Sequence, residues 1–89
     1  MKVEFTHEFI KIYKKRFSHR PNIRKRFEER LRLFSDNSAN PILKDHALGV
    51  KMLGKRAFSV TGDIRVVYYT HDETAYFVDI GTHNQVYGK

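Results

Sequence analysis

The chain has 89 residues, 17 Lys and Arg against 10 Asp and Glu for a formal net charge of +7, and 40% hydrophobic residues including 7 Phe and 5 Tyr. A chain this short buries only about 60 to 65% of the surface its unfolded form exposes, so one domain over 1–89 is expected, and any active site must be an open groove or a shallow surface. Cysteine is absent, which excludes disulfide staples, thiol nucleophiles and zinc ribbons, while the aromatic content excludes a disordered tail.

At the start, Met1-Lys2-Val3-Glu4-Phe5 alternates too early for the apolar core of a signal peptide, and Lys2 to Phe5 reads as a strand. No apolar run approaches the roughly 18 to 20 residues a bilayer span needs, so a soluble cytoplasmic protein with no membrane partner is expected. Thr6 then caps a first helix with the apolar stripe Phe9, Ile10, Tyr13 and Phe17. Ser18 to Asn22 breaks the pattern, and Pro21 opens a second helix with the stripe Ile23, Phe27, Leu31 and Phe34. Asp36 to Asn40, ahead of Pro41, is loop chemistry, and beyond it the period changes from 3.6 to 2. Leu48, Val50 and Met52 alternate, Gly54 punctuates, and Arg56 to Thr61 alternates again. Gly62-Asp63 makes a hairpin turn before Ile64 to Thr70, and His71-Asp72-Glu73 turns the chain into a last strand from Thr74 to Ile80. The order β-α-α-β-β-β-β predicts an α+β fold, with a two-helix hairpin on one face of a mostly antiparallel four- to five-stranded sheet.

Charge is concentrated in the helical half. Lys11, Lys14, Lys15, Arg16, Arg20, Arg24, Lys25, Arg26, Arg30 and Arg32 face only Glu28 and Glu29, a net of +8 for that stretch and −1 for the rest. A solvated helix face ordinarily mixes acids with bases, so a face this uniformly positive favours binding to phosphates, with Arg20, Arg24 and Lys25 among the candidates. Nucleic acid is the first expected partner, ahead of an acidic protein or membrane headgroups.

Two histidines sit at element boundaries: His46 in Lys44-Asp45-His46 before the strands, and His83 in the run Gly81 to Gly88 after them. Residues at strand ends converge on a rim, and imidazole exchanges protons near neutrality. Asp63 and Arg65, two positions apart, add a carboxylate and a guanidinium on one face. Such a set would suffice for RNA cleavage without a metal. A base removes the 2′-hydroxyl proton, an acid protonates the departing 5′-oxygen, and a cation offsets the charge gathering on phosphorus. The plainer reading also stands at this level: turn histidines are ordinary solvated surface, Asp63 after Gly62 is turn chemistry, and Arg65 is an exposed strand charge. Tyr87, beyond the last strand, either stacks on a base or closes a core edge. No His pair has zinc-type spacing, so no metal or cofactor is expected.

The blocks Leu43-Lys44-Asp45-His46-Ala47-Leu48, Gly62-Asp63-Ile64-Arg65-Val66-Val67-Tyr68 and Ile80-Gly81-Thr82-His83-Asn84-Gln85-Val86-Tyr87, in this order and spacing, resemble the RelE/ParE toxin superfamily, in particular its YafQ-like branch. The resemblance spans the whole chain. It implies a RelE-like fold and an mRNA interferase of a type II toxin–antitoxin system, which cleaves messenger RNA on a translating ribosome without a metal. The products would be a 2′,3′-cyclic phosphate and a 5′-hydroxyl. It further implies a cognate antitoxin, and contact with operator DNA only through the antitoxin complex. Carried over by position, His46, Asp63, His83 and Tyr87 match residues that act in catalysis or place the message. Arg65 matches a scissile-phosphate contact, and Lys55 and Arg56 lie in a strand that commonly adds phosphate contacts. His83 is then the foremost acid or base, with Asp63 as its partner and His46 as the second imidazole.

Two positions depart from the branch: Ser59 stands where a histidine is usual and Ile64 where an aromatic is common, which would remove a proton carrier and a stacking surface. Two rival readings follow. One is a ParE-like toxin that inhibits DNA gyrase without cutting RNA, against which the paired histidines argue. The other is a catalytically inactive module that binds RNA or antitoxin.

Overall fold

The computed structural model describes residues 1–88; Lys89, the last residue of the expected domain, lies outside the described residues. The elements are β1 (Lys2–Phe5), α1 (His7–Phe17), α2 (Pro21–Asp36), β2 (His46–Ala47), β3 (Arg56–Ser59), β4 (Ile64–His71), β5 (Thr74–Thr82) and α3 (His83–Tyr87), with short 3-10 turns at Pro41–Leu43 and Val50–Met52. They form the α+β arrangement expected, on a five-stranded sheet ordered β1-β5-β4-β3-β2. Among the described residues, only the β1–β5 pair is parallel.

Local chemistry fixes the helix starts. Thr6 Oγ1 accepts from the Phe9 amide at 3.2 Å and donates to the Phe77 carbonyl at 2.7 Å, so one hydroxyl caps α1 and ties it to β5. Pro21 sits in the first turn of α2, where its missing N–H costs nothing. Phe9, Phe17, Phe27 and Phe34 come down from the two helices onto Phe58, Val66, Tyr68 and Phe77 of the sheet, forming the main core. Ile10 of the predicted stripe is exposed, and the partly buried Ile12 packs against the core instead.

The other sheet face carries α3 together with Leu48 and Met52 of the loop after β2. Val86 of α3 is buried on Ala57 and Val67, and the alternation along each strand assigns Phe58 and Val66 to the helical face and Ala57 and Val67 to this one. The outer strands are short, and where they stop two arginines cover the exposed edges. Arg16 Nη1 donates to the Ile80 carbonyl at 2.8 Å, and Arg30 Nη1 donates to the Ser59 carbonyl at 3.3 Å.

The strand expected through Leu48, Val50 and Met52 is absent. Leu48 follows a two-residue strand and Val50 and Met52 lie in a 3-10 turn, with Val50 92% and Leu53 84% exposed. Their alternation came from a loop that turns its apolar groups partly toward solvent. The Gly81 to Gly88 run, expected to lie simply beyond the last strand, contains α3, closed by a capping box in which Thr82 Oγ1 accepts from the Gln85 amide and Gln85 Oε1 from the Thr82 amide.

The β4–β5 turn places both Asp72 (φ 48°) and Glu73 (φ 63°) in the left-handed region. A side chain there is costly and glycine is not, so Glu73→Gly should stabilise the domain by about 1 kcal/mol and raise Tm by about 4–8 °C. A thermal melt checks this, and a lowered Tm would show that the Glu73 side chain holds the turn.

Candidate active site

The α3 face holds a cavity of about 440 Å³, whose lining includes His46, His83 and Tyr87 together with Leu48, Lys51 and Met52. His83 and Tyr87 are one helical turn apart on α3, and their rings meet edge to face with centroids 4.6 Å apart. The Val86 anchor between them fixes which way α3 rolls. In the same lining, His46 Nδ1 lies 3.0 Å from the Lys44 carbonyl oxygen. A carbonyl only accepts, so Nδ1 carries the proton and Nε2 is left as the lone-pair nitrogen.

The segment bearing His46 is held from beneath by Asp45. Its carboxylate accepts from Arg56 Nε at 2.7 Å and from the Tyr68 hydroxyl, and its side chain is 7% exposed. Burial, and then the bond to Asp45, push the Tyr68 phenol far above its ordinary value, so it remains a donor at every physiological pH. Asp45 is the positioning residue that sequence reasoning passed over. It stood in the quoted Lys44-Asp45-His46 run, but its partners come from β3 and β4 and only the register reveals them.

The remaining candidates are spread over several surfaces. Arg65 on β4 donates from Nη1 to Ser59 Oγ at 3.1 Å and to the carbonyls of Thr61 and Gly62 at 3.3 Å each. Ser59 is buried and orients this guanidinium. Arg65 also bears on Tyr87, whose phenol is raised by burial and drawn back by the nearby positive charge. Asp63 is exposed in the β3–β4 turn, one residue from the Ile64–Thr82 pair and so at the same end of the sheet as His83. Its carboxylate makes no hydrogen bond to either imidazole among the described residues. Lys55 lines an adjoining hollow with Lys51, Met52 and Tyr87.

Arg56 faces the other way, on the helical side, engaged by Asp45. Ile64, expected beside the groove, is 2% exposed within the main core, so position 64 presents no surface to a base. Arg20 lies over the Phe17 ring, 5.9 Å from its centroid, and Arg24 and Lys25 are exposed on α2, across the sheet from the histidine cavity. Among the described residues, no group of three or more His, Asp or Glu side chains could hold a metal ion, and no helix is long and apolar enough to cross a membrane.

The Tyr87 hydroxyl is buried with no hydrogen-bond partner among the described residues. An unmade bond of this kind costs stability, so Tyr87→Phe should hold or raise it, by up to about 1 kcal/mol in a urea melt. A clear loss would mean that the hydroxyl has a partner in solution.

The fold has known counterparts. A family model described as a bacterial toxin of type II toxin–antitoxin systems, YafQ, matches residues 1–88. The fold is similar to that of YafQ from E. coli, with a TM-score of 0.75 at 22% identity over 98% of each chain. A DinJ–YafQ complex from E. coli gives 0.71 at 24% identity, also over 98% of each chain. The YoeB–YefM complex from Staphylococcus aureus gives 0.74 at 20% identity, over 93% of this chain and 97% of that one. No curated protein sequence matches significantly.

Proposed function

The chain belongs to the YafQ family of bacterial toxins of type II toxin–antitoxin systems, and from this we propose that it is a ribosome-dependent messenger-RNA endoribonuclease, neutralised by a cognate antitoxin. The observation that carries the reading is a pair of imidazoles lining a single cavity, His46 with its Nε2 free and His83 on α3. One acts as base and the other as acid, as an in-line transfer requires.

In this reading His46 Nε2 takes the proton of the 2′-hydroxyl, and the 2′-oxygen attacks phosphorus. The bond to the 5′-oxygen breaks as His83 supplies its proton, giving a 2′,3′-cyclic phosphate and a 5′-hydroxyl. Arg65, fixed by Ser59, and Lys51, at the cavity wall, offset the extra negative charge on the phosphoryl oxygens. Tyr87, which lines the same cavity, offers its ring to the neighbouring nucleotide. The open site does little to orient a flexible strand, which is why a ribosome that presents the message in a fixed pose is the expected context.

The helical hairpin supports the ribosomal half of the proposal. Arg16 and Arg30 turn inward, whereas Lys11, Lys14, Lys15, Arg20, Arg24, Lys25, Arg26 and Arg32 are exposed on the face opposite the cavity. The toxin thus has one surface for ribosomal RNA phosphates and another for the message. Affinity for ribosomes should fall at least about tenfold between roughly 50 and 200 mM salt. A flat salt dependence would remove the hairpin from ribosome binding. The direct test of the activity is cell-free translation with the purified chain, followed by primer extension: new stops within codons, appearing only while ribosomes translate, are expected. An intact message with stalled translation would favour the inactive binder.

A further inference from the structure

A second, smaller hollow lies at the edge of β3 beyond the end of β2. It has a volume of about 120 Å³, and its walls include Arg30, Lys44, Ser59, Thr61, Gly62 and Arg65. Three separate elements supply its cations: Arg30 from α2, Lys44 from the loop before β2, and Arg65 from β4. Arg30 Nη1 is fixed by the carbonyls of Ile42 at 3.0 Å and Ser59 at 3.3 Å. Arg65 Nη1 is fixed by Ser59 Oγ and two turn carbonyls.

Among the described residues, none of the three cations is paired with a carboxylate, since the ion pairs are Arg16–Asp79, Arg26–Glu29, Arg56–Asp45 and His71–Asp72. Three like charges around so small a space repel one another. The backbone carbonyls hold the two guanidiniums in place without neutralising them, and each keeps further N–H donors unused.

We propose that this hollow is a phosphodiester subsite, distinct from the histidine cavity, which grips the RNA backbone away from the scissile bond. The RNA identity of the ligand rests on the nuclease reading above; the anion site itself does not. Arg65 forms the shared wall. It borders the hollow and its charge reaches Tyr87, which lines the histidine cavity, so a strand leaving the cavity past Arg65 arrives at Arg30 and Lys44. Cations from three directions match the oxygens of a tetrahedral phosphate, whereas a planar carboxylate is satisfied by a single guanidinium fork.

The test is an amide NMR titration of the full chain with inorganic phosphate at low ionic strength. Saturable shifts confined to Ser59, Thr61, Gly62 and Arg65 are expected, with affinity reduced about fivefold or more in Lys44→Gln and unchanged in Lys2→Gln. Arg30→Gln should weaken binding as well. Because Arg30 also holds two carbonyls and its variant could unfold, Lys44→Gln, whose ammonium has no protein partner among the described residues, carries the test alone. Shifts spread along the helical hairpin, or an unchanged affinity in Lys44→Gln, would overturn the subsite.

Ribosome binding by Lys44→Gln, with and without message, then distinguishes the source. Weakening in both cases assigns the phosphate to ribosomal RNA, and weakening only with message assigns it to the message. No weakening in either, or weakening only of binding to an acidic partner peptide, would overturn the RNA assignment. Failure of the nuclease reading would look different: an intact message in the primer-extension assay, with phosphate still bound at the hollow.

Discussion

Replacing His83 with alanine should lower message cleavage by about 10²–10⁴-fold while leaving the fold intact. The side chain is exposed, and its described contact is the edge-to-face meeting with Tyr87, so little packing is lost and thermal melts should nearly superimpose. His46→Ala should produce a loss of similar size, and the double variant should be little worse than either, because the two groups serve one proton-transfer sequence. The pH profile separates the roles. A parent with one imidazole as base and one as acid has a bell-shaped rate profile, and each single variant should lose one limb of it. If His83→Ala cleaves as fast as the parent, the imidazole pair is not the catalytic apparatus. If both variants remain fully toxic without any cleavage, the gyrase-directed alternative becomes the reading to pursue.

The largest effect on stability is expected at Phe77. Its ring meets those of Phe5, Phe9, Phe27, Phe34, Phe58 and Tyr68, with centroids 5.5 to 6.3 Å away. Both helices, the first strand and the central strands converge on this one side chain, which is fully buried. Truncation to alanine removes the ring and leaves a hole that so many rigid neighbours cannot close, at a cost of about 3–5 kcal/mol. A domain of this size has about 5–15 kcal/mol to lose, so Phe77→Ala should fall in Tm by about 20 °C or fail to fold near 37 °C. Tyr69→Ala, which breaks a Tyr69–Tyr76 stack in which Tyr69 is 38% exposed, should cost only about 0.5–1 kcal/mol. Equal costs at the two positions would contradict the core described here.

Much of this architecture was legible in the order of residues. The two helices announced themselves through Phe9, Phe17, Phe27 and Phe34, because spacings of three and four have few other uses in a short chain. The hairpin strands followed from Gly62-Asp63 and Asp72-Glu73. Leu48, Val50 and Met52 misled for a physical reason. Alternation marks a strand only where one side faces a core, and here the segment lines a cavity, with Val50 almost wholly in solvent. α3 was legible in principle, since Thr82 and Gln85 have capping-box spacing, but a five-residue helix leaves no periodic stripe.

The imidazole pair was half legible: strand ends suggested that His46 and His83 converge, and they line one cavity. The tautomer of His46 and the duties of Asp45 and Ser59 were not, because each depends on a partner from a distant strand. Arg56 shows the same limit in reverse. Its place in β3 invited a phosphate contact, but the β3–β4 register sets it beside Tyr68 and Asp45.

The parallel pairing of β1 with β5 governs when the protein can become itself. Val3 lies beside Ala75 and Phe5 beside Phe77, so an edge of the sheet must wait for residues made about seventy positions later. During synthesis the helical hairpin emerges first, with its phenylalanines uncovered, and Phe77 arrives only near the end. His83 and Tyr87 follow still later. The parallel edge of the sheet therefore cannot close until Ala75 and Phe77 have been made, and the phenylalanines of the hairpin stay uncovered until then.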